Sequence, residues 1–310
     1  MAESQLPAEE QVESLWHLGG LTKRELGKRV WAAMDRNDIS STASELAYNF
    51  VFSIFPALFV LLTIFGFFVG QHSELQQTLF SYLAQVLPPD AAKLVTQTVT
   101  QVAQASGGGK LTFGLVFALW SASQGTSGMM SGLNRSYEIH ESRPYYKSKA
   151  ISMGLTIALA AMVMLALAFI LFGGNIAQAL GNKYGLADVT VTAWRVIQWI
   201  LAIALMAFAF ALVYYYGPDV KEQHWYWITP GSLLGVALWL AVSFAFREYL
   251  KFFNSYNKMY GSLGGAMILL MWFWVTGLAF LVGGEINAEI EHAAAKRGHP
   301  EAKAPGQKAA

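Results

Sequence analysis

Residues 259–284 carry no charged side chain, and the interval is bounded by Lys258 and Glu285. A helix rises about 1.5 Å per residue, so an interval this long crosses the roughly 30 Å hydrocarbon core of a bilayer with room for tilt. Five further apolar stretches follow the same pattern, at 46–70, 111–132, 151–172, 192–216 and 225–246, uncharged except for Arg195 in the fourth, and the sixth span proper is 266–282. In lipid every backbone polar group must be satisfied within the chain, and helices do this segment by segment. The expected fold is therefore all-α: a polytopic membrane protein with six transmembrane helices.

Composition agrees. Only 13% of the 310 residues are charged and 55% are apolar, with a mean hydropathy of +0.38. A soluble chain is usually about a quarter charged. The absence of cysteine removes disulfides and thiolate chemistry, and a net charge of +1 gives no electrostatic basis for nucleic-acid binding. Glu3, Glu9, Glu10 and Glu13 precede the first apolar run, which argues against a cleavable leader.

Three regions are expected: a cytoplasmic N-terminal segment (1–36), a six-span membrane domain (37–290) and a cytoplasmic tail (291–310). In the first, Lys23, Arg24, Lys28 and Arg29 surround Leu26, Val30 and Trp31. That is the pattern either of a basic amphipathic helix on an anionic membrane face or of a solvated charged helix. Thr42 and Glu45 have capping-box spacing for the start of span one, with Asp38 and Ser41 as alternative caps. Amphipathic helices are also expected in the first and fifth loops. Lys and Arg favour one side by roughly two to one, placing both termini in the cytoplasm. Arg247, Lys251 and Lys258 run against that bias.

Two spans carry polar stripes at helical spacing: Glu45, Asn49, Ser53 and Pro56 in span one, and Gln124, Ser127, Ser131 and Asn134 in span two. A stripe of this kind either lines a hydrated pathway or binds helix to helix, and Gly128-x-x-x-Gly132 suits the second use. Both readings stay open. Span two is too polar for lipid and is expected to be buried among its neighbours. Between spans two and three, Arg143, Lys147 and Lys149 lie with Tyr145 and Tyr146 in a basic, aromatic segment suited to phosphate head groups or to simple interfacial anchoring. Tyr249, Phe253, Tyr256 and Tyr260 share a face of a helix extending span five, before a glycine break at 261–265. Glu285 closes span six and is expected to be a gating or proton-coupled group or to pair with Arg135 or Arg143. Glu289 and His292 have Glu-x-x-His spacing, but no second such motif accompanies them, and no catalytic set, metal site or cofactor is expected.

Three ordered segments carry a resemblance. They are Ala43-x-Glu45-Leu46-Ala47-Tyr48 leading to Ser53-x-Phe55-Pro56; Leu133-Asn134-x-x-Tyr137 with Glu141-x-Arg143; and Tyr256-x-x-x-Tyr260-Gly261-Ser262-Leu263-Gly264 followed by Trp272 and Gly283-Gly284-Glu285-Ile286-Asn287. Together they resemble the YihY/BrkB family of bacterial inner-membrane proteins over about residues 30–292. The resemblance implies six spans, cytoplasmic termini and a multi-pass place in the bacterial inner membrane. Members of that family have carried ribonuclease, virulence and lipid-transporter labels. The expected function is a transporter or flippase-like carrier, without an ATPase of its own, for an anionic lipid or envelope precursor. The alternatives are a non-catalytic scaffold for envelope assembly and, further off, a membrane-bound hydrolase or nuclease. Membrane lipids are the expected partners, self-association is allowed, and nucleic acid is not expected.

Overall fold

The computed structural model describes residue 16 and residues 18–69, 108–184, 187–221, 228–252, 262–298 and 302–308. The described secondary structure is helical throughout. A 3-10 turn, Leu18–Gly20, precedes α1 (Lys23–Arg36), α2 (Ile39–Val69), α3 (Gly108–Ser136), α4 (Tyr145–Tyr184), α5 (Ala187–Tyr216), α6 (Pro230–Phe252) and α7 (Ser262–Lys296). Five helical segments are long and apolar enough to cross a membrane: Ile39–Leu61, Tyr145–Phe169, Thr190–Tyr216, Pro230–Leu250 and Gly264–Lys296. The 29-residue α3 has the length but a more polar composition.

The main core gathers at one end of the bundle. Ile39, Ala43 and Leu46 of α2 meet Met129, Met130 and Leu133 of α3, Val213 and Tyr214 of α5, and Phe280 and Leu281 of α7. Their common level follows from chain direction: the start of α2 lies beside the ends of α3 and α5 and the middle of α7, which runs on past α1. We call this the charged end, because α1 and the tail also lie there.

The local rules that shape this end differ in part from the expected ones. The capping box is at Thr22 and Glu25, where the Thr22 hydroxyl accepts from the Glu25 amide and the Glu25 carboxylate accepts from the Thr22 amide at 2.9 Å. Thr42 is not a cap. It is buried inside α2, and its hydroxyl donates to the Asp38 carbonyl at 3.0 Å. The glycine break is shorter than expected, since α7 starts at Ser262 and runs through Gly264 and Gly265. The amphipathic helices expected between spans one and two, and the far part of the fifth loop with Tyr256 and Tyr260, lie outside the described residues.

Helix α1 does not rest its apolar face on a membrane. Leu26 and Val30 are buried against Ile286 and Ile290 of α7. Outside the bilayer such burial stabilises by about 1.5–3 kcal/mol per side chain, enough to hold α1 in place. Trp31, expected on the apolar side, is turned outward and is 75% exposed.

Candidate functional site

The motif on α7 is a junction whose residues meet several other elements. Gly283 faces the start of α6, where a Cβ would stand 2.6 Å from the Gly231 carbonyl and closer still to the Tyr214 hydroxyl. Gly284 faces α3, with Leu133 2.6 Å from where its Cβ would be. Asn287 caps α6: its Oδ1 accepts from the Gly231 amide at 2.9 Å, and its Nδ2 donates to the Thr229 hydroxyl at 3.0 Å. Thr229 and Ser232 complete a reciprocal cap at the same helix end.

Glu285, fully buried, faces the turn between α1 and α2. Its Oε1 accepts from the Asn37 side-chain amide at 2.9 Å, and its Oε2 has no hydrogen-bond partner among the described residues. The expected ion pairs with Arg135 and Arg143 do not form. Arg135 instead reaches Glu45 at 2.8 Å and the Thr42 hydroxyl at 3.0 Å, on the outside of the bundle. One helical turn beyond Glu285, Glu289 accepts from Arg36 at 3.1 Å, and the Arg36 Nε pairs with Glu138 at 2.8 Å. His292, 2% exposed, has both ring nitrogens unpartnered among the described residues, with Nδ1 3.9 Å from Glu289. Tyr137 packs edge-on to that imidazole and donates to Glu291 at 3.1 Å. Burial, with Glu291 beside it, pushes the Tyr137 phenol well above its ordinary range, so it stays a donor.

Two strained turns hold this cluster. Asp38 (φ 46°) and Glu138 (φ 56°) are in the left-handed region without being glycine. At Glu138 the cause is the end of α3: Ile139 N–H bonds to the Asn134 carbonyl and Glu138 N–H to the Arg135 carbonyl, a Schellman ending. The strained conformation brings the Glu138 carboxylate to Arg36.

A second network ties the loops together. Asn134 donates to Glu141 at 3.1 Å and accepts from the Asp219 amide at 2.7 Å. Arg143 donates to Glu141 through Nε and Nη2, both at 2.7 Å, and to the Gly217 carbonyl at 2.8 Å, leaving its side chain 13% exposed. Arg143 therefore braces the loop after α3 against the loop after α5. Burial opposes ionisation of Asp219, yet hydrogen bonds from Lys308 and Ser142 hold its carboxyl down at about 2. Lys308 brings in the tail, whose Gly306 amide also bonds to the Tyr137 carbonyl.

The two polar stripes part company. Asn49 and Ser53 face α3 at its glycines: a Cβ at Gly128 would lie 2.7 Å from Asn49 Nδ2, and one at Gly125 2.7 Å from Ser53 Oγ. Ser53 is buried and donates to the Phe50 carbonyl, while Pro56 lies within the continuous α2. Gln124 and Ser131 are exposed and Ser127 is half-buried, so this side of α3 is not covered as expected. Beside it α2 presents Tyr48, Phe52 and Phe55, at 60–69% exposure. Glu45 and Arg135 close that face at the charged end. Trp272, on α7, packs against Trp239 and Phe246 of α6, away from either stripe.

The model of the family described as "Virulence factor BrkB" matches residues 30–307. This chain belongs to the BrkB family. It is 30% identical to YfkH of Bacillus subtilis, named as a ribonuclease-like protein, over 84% of this chain and 93% of that one. It is 26% identical to a UPF0761 membrane protein of Xanthomonas oryzae pv. oryzae, over 89% of this chain but only 62% of that longer protein. No solved structure matches. With its apolar helices, this BrkB protein is a multi-pass bacterial membrane protein, and the inner membrane fits the family.

Several residues of this BrkB chain escape sequence reasoning. Asn37, Arg36 and Asp219 lie in or beside turns, where only the fold shows their partners. Lys149 is the least expected. Counted among the loop cations, it is 8% exposed, with its amine 3.4 Å from Gln124 Oε1 and 4.8 Å from the centre of the Trp120 ring. The available signal was its place: it lies just before the apolar run of α4, within reach of a polar residue in α3.

Proposed function

We propose that this protein is a flippase-like carrier for an anionic lipid or envelope precursor, powered without an ATPase of its own. The observation that carries this reading is the exposed polar face of α3. Gln124, Ser131 and Arg135 face outward from the bundle, beside the aromatic ridge of α2. Polar groups facing hydrocarbon are costly unless they pair or line a wet path. A polar headgroup travelling along that face, with its acyl chains left in the bilayer, would satisfy them. At the charged end Arg135, paired with Glu45, offers an exposed cation for an anionic headgroup.

In this reading α3 is a sixth span. Its 29 residues rise about 43 Å, and its two partners on either side, α2 and α4, are both apolar enough to cross. Six crossings put both termini on one side, and the Lys and Arg bias makes that side cytoplasmic. The charged end, with α1 and the tail, is then the cytoplasmic end.

A scaffold is the competing reading, favoured by the tight glycine contacts between α2 and α3, which consume Asn49 and Ser53 in packing. Single Gln124→Cys, Ser127→Cys and Ser131→Cys variants separate the two. Labelling by a small aqueous reagent from the membrane-embedded face is expected for the carrier, and silence at all three positions would leave the scaffold. Proteoliposomes that move a fluorescent phosphatidylglycerol between leaflets faster than protein-free vesicles would complete the test.

A further inference from the structure

Among the described residues Lys149 is a cation with no carboxylate beside it. It is 8% exposed, and among the described residues its amine meets only the Gln124 amide oxygen, at a long 3.4 Å, and the face of Trp120. An ammonium carries three donors and no acceptor, so Gln124 leaves it under-satisfied. A buried charge is retained at a cost unless it is paired. Four cations at the charged end have carboxylates: Arg36 has Glu138 and Glu289, Arg135 has Glu45, Arg143 has Glu141, and Lys308 has Asp219. Lys149 is built differently.

Its surroundings suit an oxyanion. The Gln124 oxygen is turned to the lysine, which leaves the two N–H donors of the same amide for a second acceptor. Gln124 is exposed and Trp120 is 44% exposed, so the group reaches the outer surface of the bundle on the polar face of α3. Its depth is set by α4. Lys149 lies one helical turn beyond Tyr145, and Tyr145 and Tyr146 are 72% and 73% exposed. Exposed tyrosines at the end of an apolar helix mark the interface, the level at which lipid phosphates lie.

We infer that Lys149, Gln124 and Trp120 form a binding site for a phosphate group, carried by a lipid headgroup or free in solution. The ammonium and the amide would supply the charge-assisted and neutral hydrogen bonds, and the indole would hold the lysine stem and shield it from hydrocarbon. This names the group by which the cargo is recognised, and for its role in transport it rests on the carrier reading above.

The full chain, purified in detergent and offered phosphatidylglycerol or diacylglycerol, tests the site by native mass spectrometry of the retained lipid. Wild-type protein is expected to retain phosphatidylglycerol and not diacylglycerol. Lys149→Gln is expected to weaken phosphatidylglycerol retention about tenfold, and Lys149→Arg to keep most of it. Displacement of the lipid by millimolar inorganic phosphate would identify the phosphate itself as the ligand, and failure of that displacement with the Lys149 dependence intact would assign the site to the lipid headgroup. Equal retention of the two lipids by wild-type protein overturns the proposal without requiring any variant to fold. Unchanged retention in a monodisperse Lys149→Gln protein overturns it as well. The carrier reading fails separately: wild-type proteoliposomes that bind phosphatidylglycerol through Lys149 but do not move it between leaflets would keep the site and remove the carrier.

Discussion

The side-chain amide of Asn37 donates to the buried carboxylate of Glu285 at 2.9 Å, joining the turn between α1 and α2 to the middle of the junction on α7. That bond is the only one Glu285 receives among the described residues, so the two positions should respond unequally to substitution. Asn37→Ala leaves a buried carboxylate with no donor, which typically costs about 1.5–3 kcal/mol. Glu285→Gln keeps an oxygen for Asn37 to reach and should cost less. Thermal unfolding of the two variants in one detergent checks the order, and a larger loss for Glu285→Gln would contradict it.

The clamp at Arg36 should be strongly coupled to Glu289. Glu289 is nearly buried and Arg36 half-exposed, so removing the arginine strands the less solvated partner. Arg36→Ala is expected to destabilise by about 3 kcal/mol, and a double-mutant cycle with Glu289→Gln to recover about 1–2 kcal/mol of that loss. Additive effects would mean that the ion pair is not the source of the stability.

Gly283 and Gly27 offer a matched contrast. Gly283→Val drives a side chain into the Gly231 carbonyl and the Tyr214 hydroxyl, separating α6 from α7. Loss of the monodisperse protein is the expected result on gel filtration. Gly27, inside α1, has open space around it, and Gly27→Ala should be neutral or stabilise by about 0.4–1 kcal/mol.

Asp219 predicts an acid-sensitive latch. Its carboxyl ionises at about 2 in the folded protein, below its ordinary 3.8, because Lys308 and Ser142 favour the charged form more than burial opposes it. A depressed value means that the stabilisation is fully present above pH 4 and is lost as pH falls towards 2, amounting to about 2 kcal/mol at neutral pH. Asp219→Asn should therefore lower the melting temperature at pH 7 and flatten its fall between pH 4 and 2. An unchanged acid limb would remove Asp219 from the account.

Much of the bundle could be read from the chain because spanning a membrane is a local property. Length and hydropathy mark α2, α4, α5, α6 and α7 without reference to any neighbour, and the family motifs fall on the α2, α3 and α7 junction that builds the charged end. The motif at Gly283-Gly284-Glu285 was equally visible as an arrangement of small residues and one carboxylate. Its meaning as a meeting point of α1, α3 and α6 was not.

What only the tertiary structure decided is which way each helix face turns and at what level it stops. The stripe of Gln124, Ser127 and Ser131 has the same spacing whether it points inward or outward, and packing of Gly125 and Gly128 against α2 turns it out. Arg143 and Lys149 read alike as loop cations, yet one is spent on Glu141 and the other is left facing Gln124 and Trp120. Helical spacing gives relative directions around one axis, whereas partners depend on rotation and register between axes, which side-chain packing sets across the whole bundle.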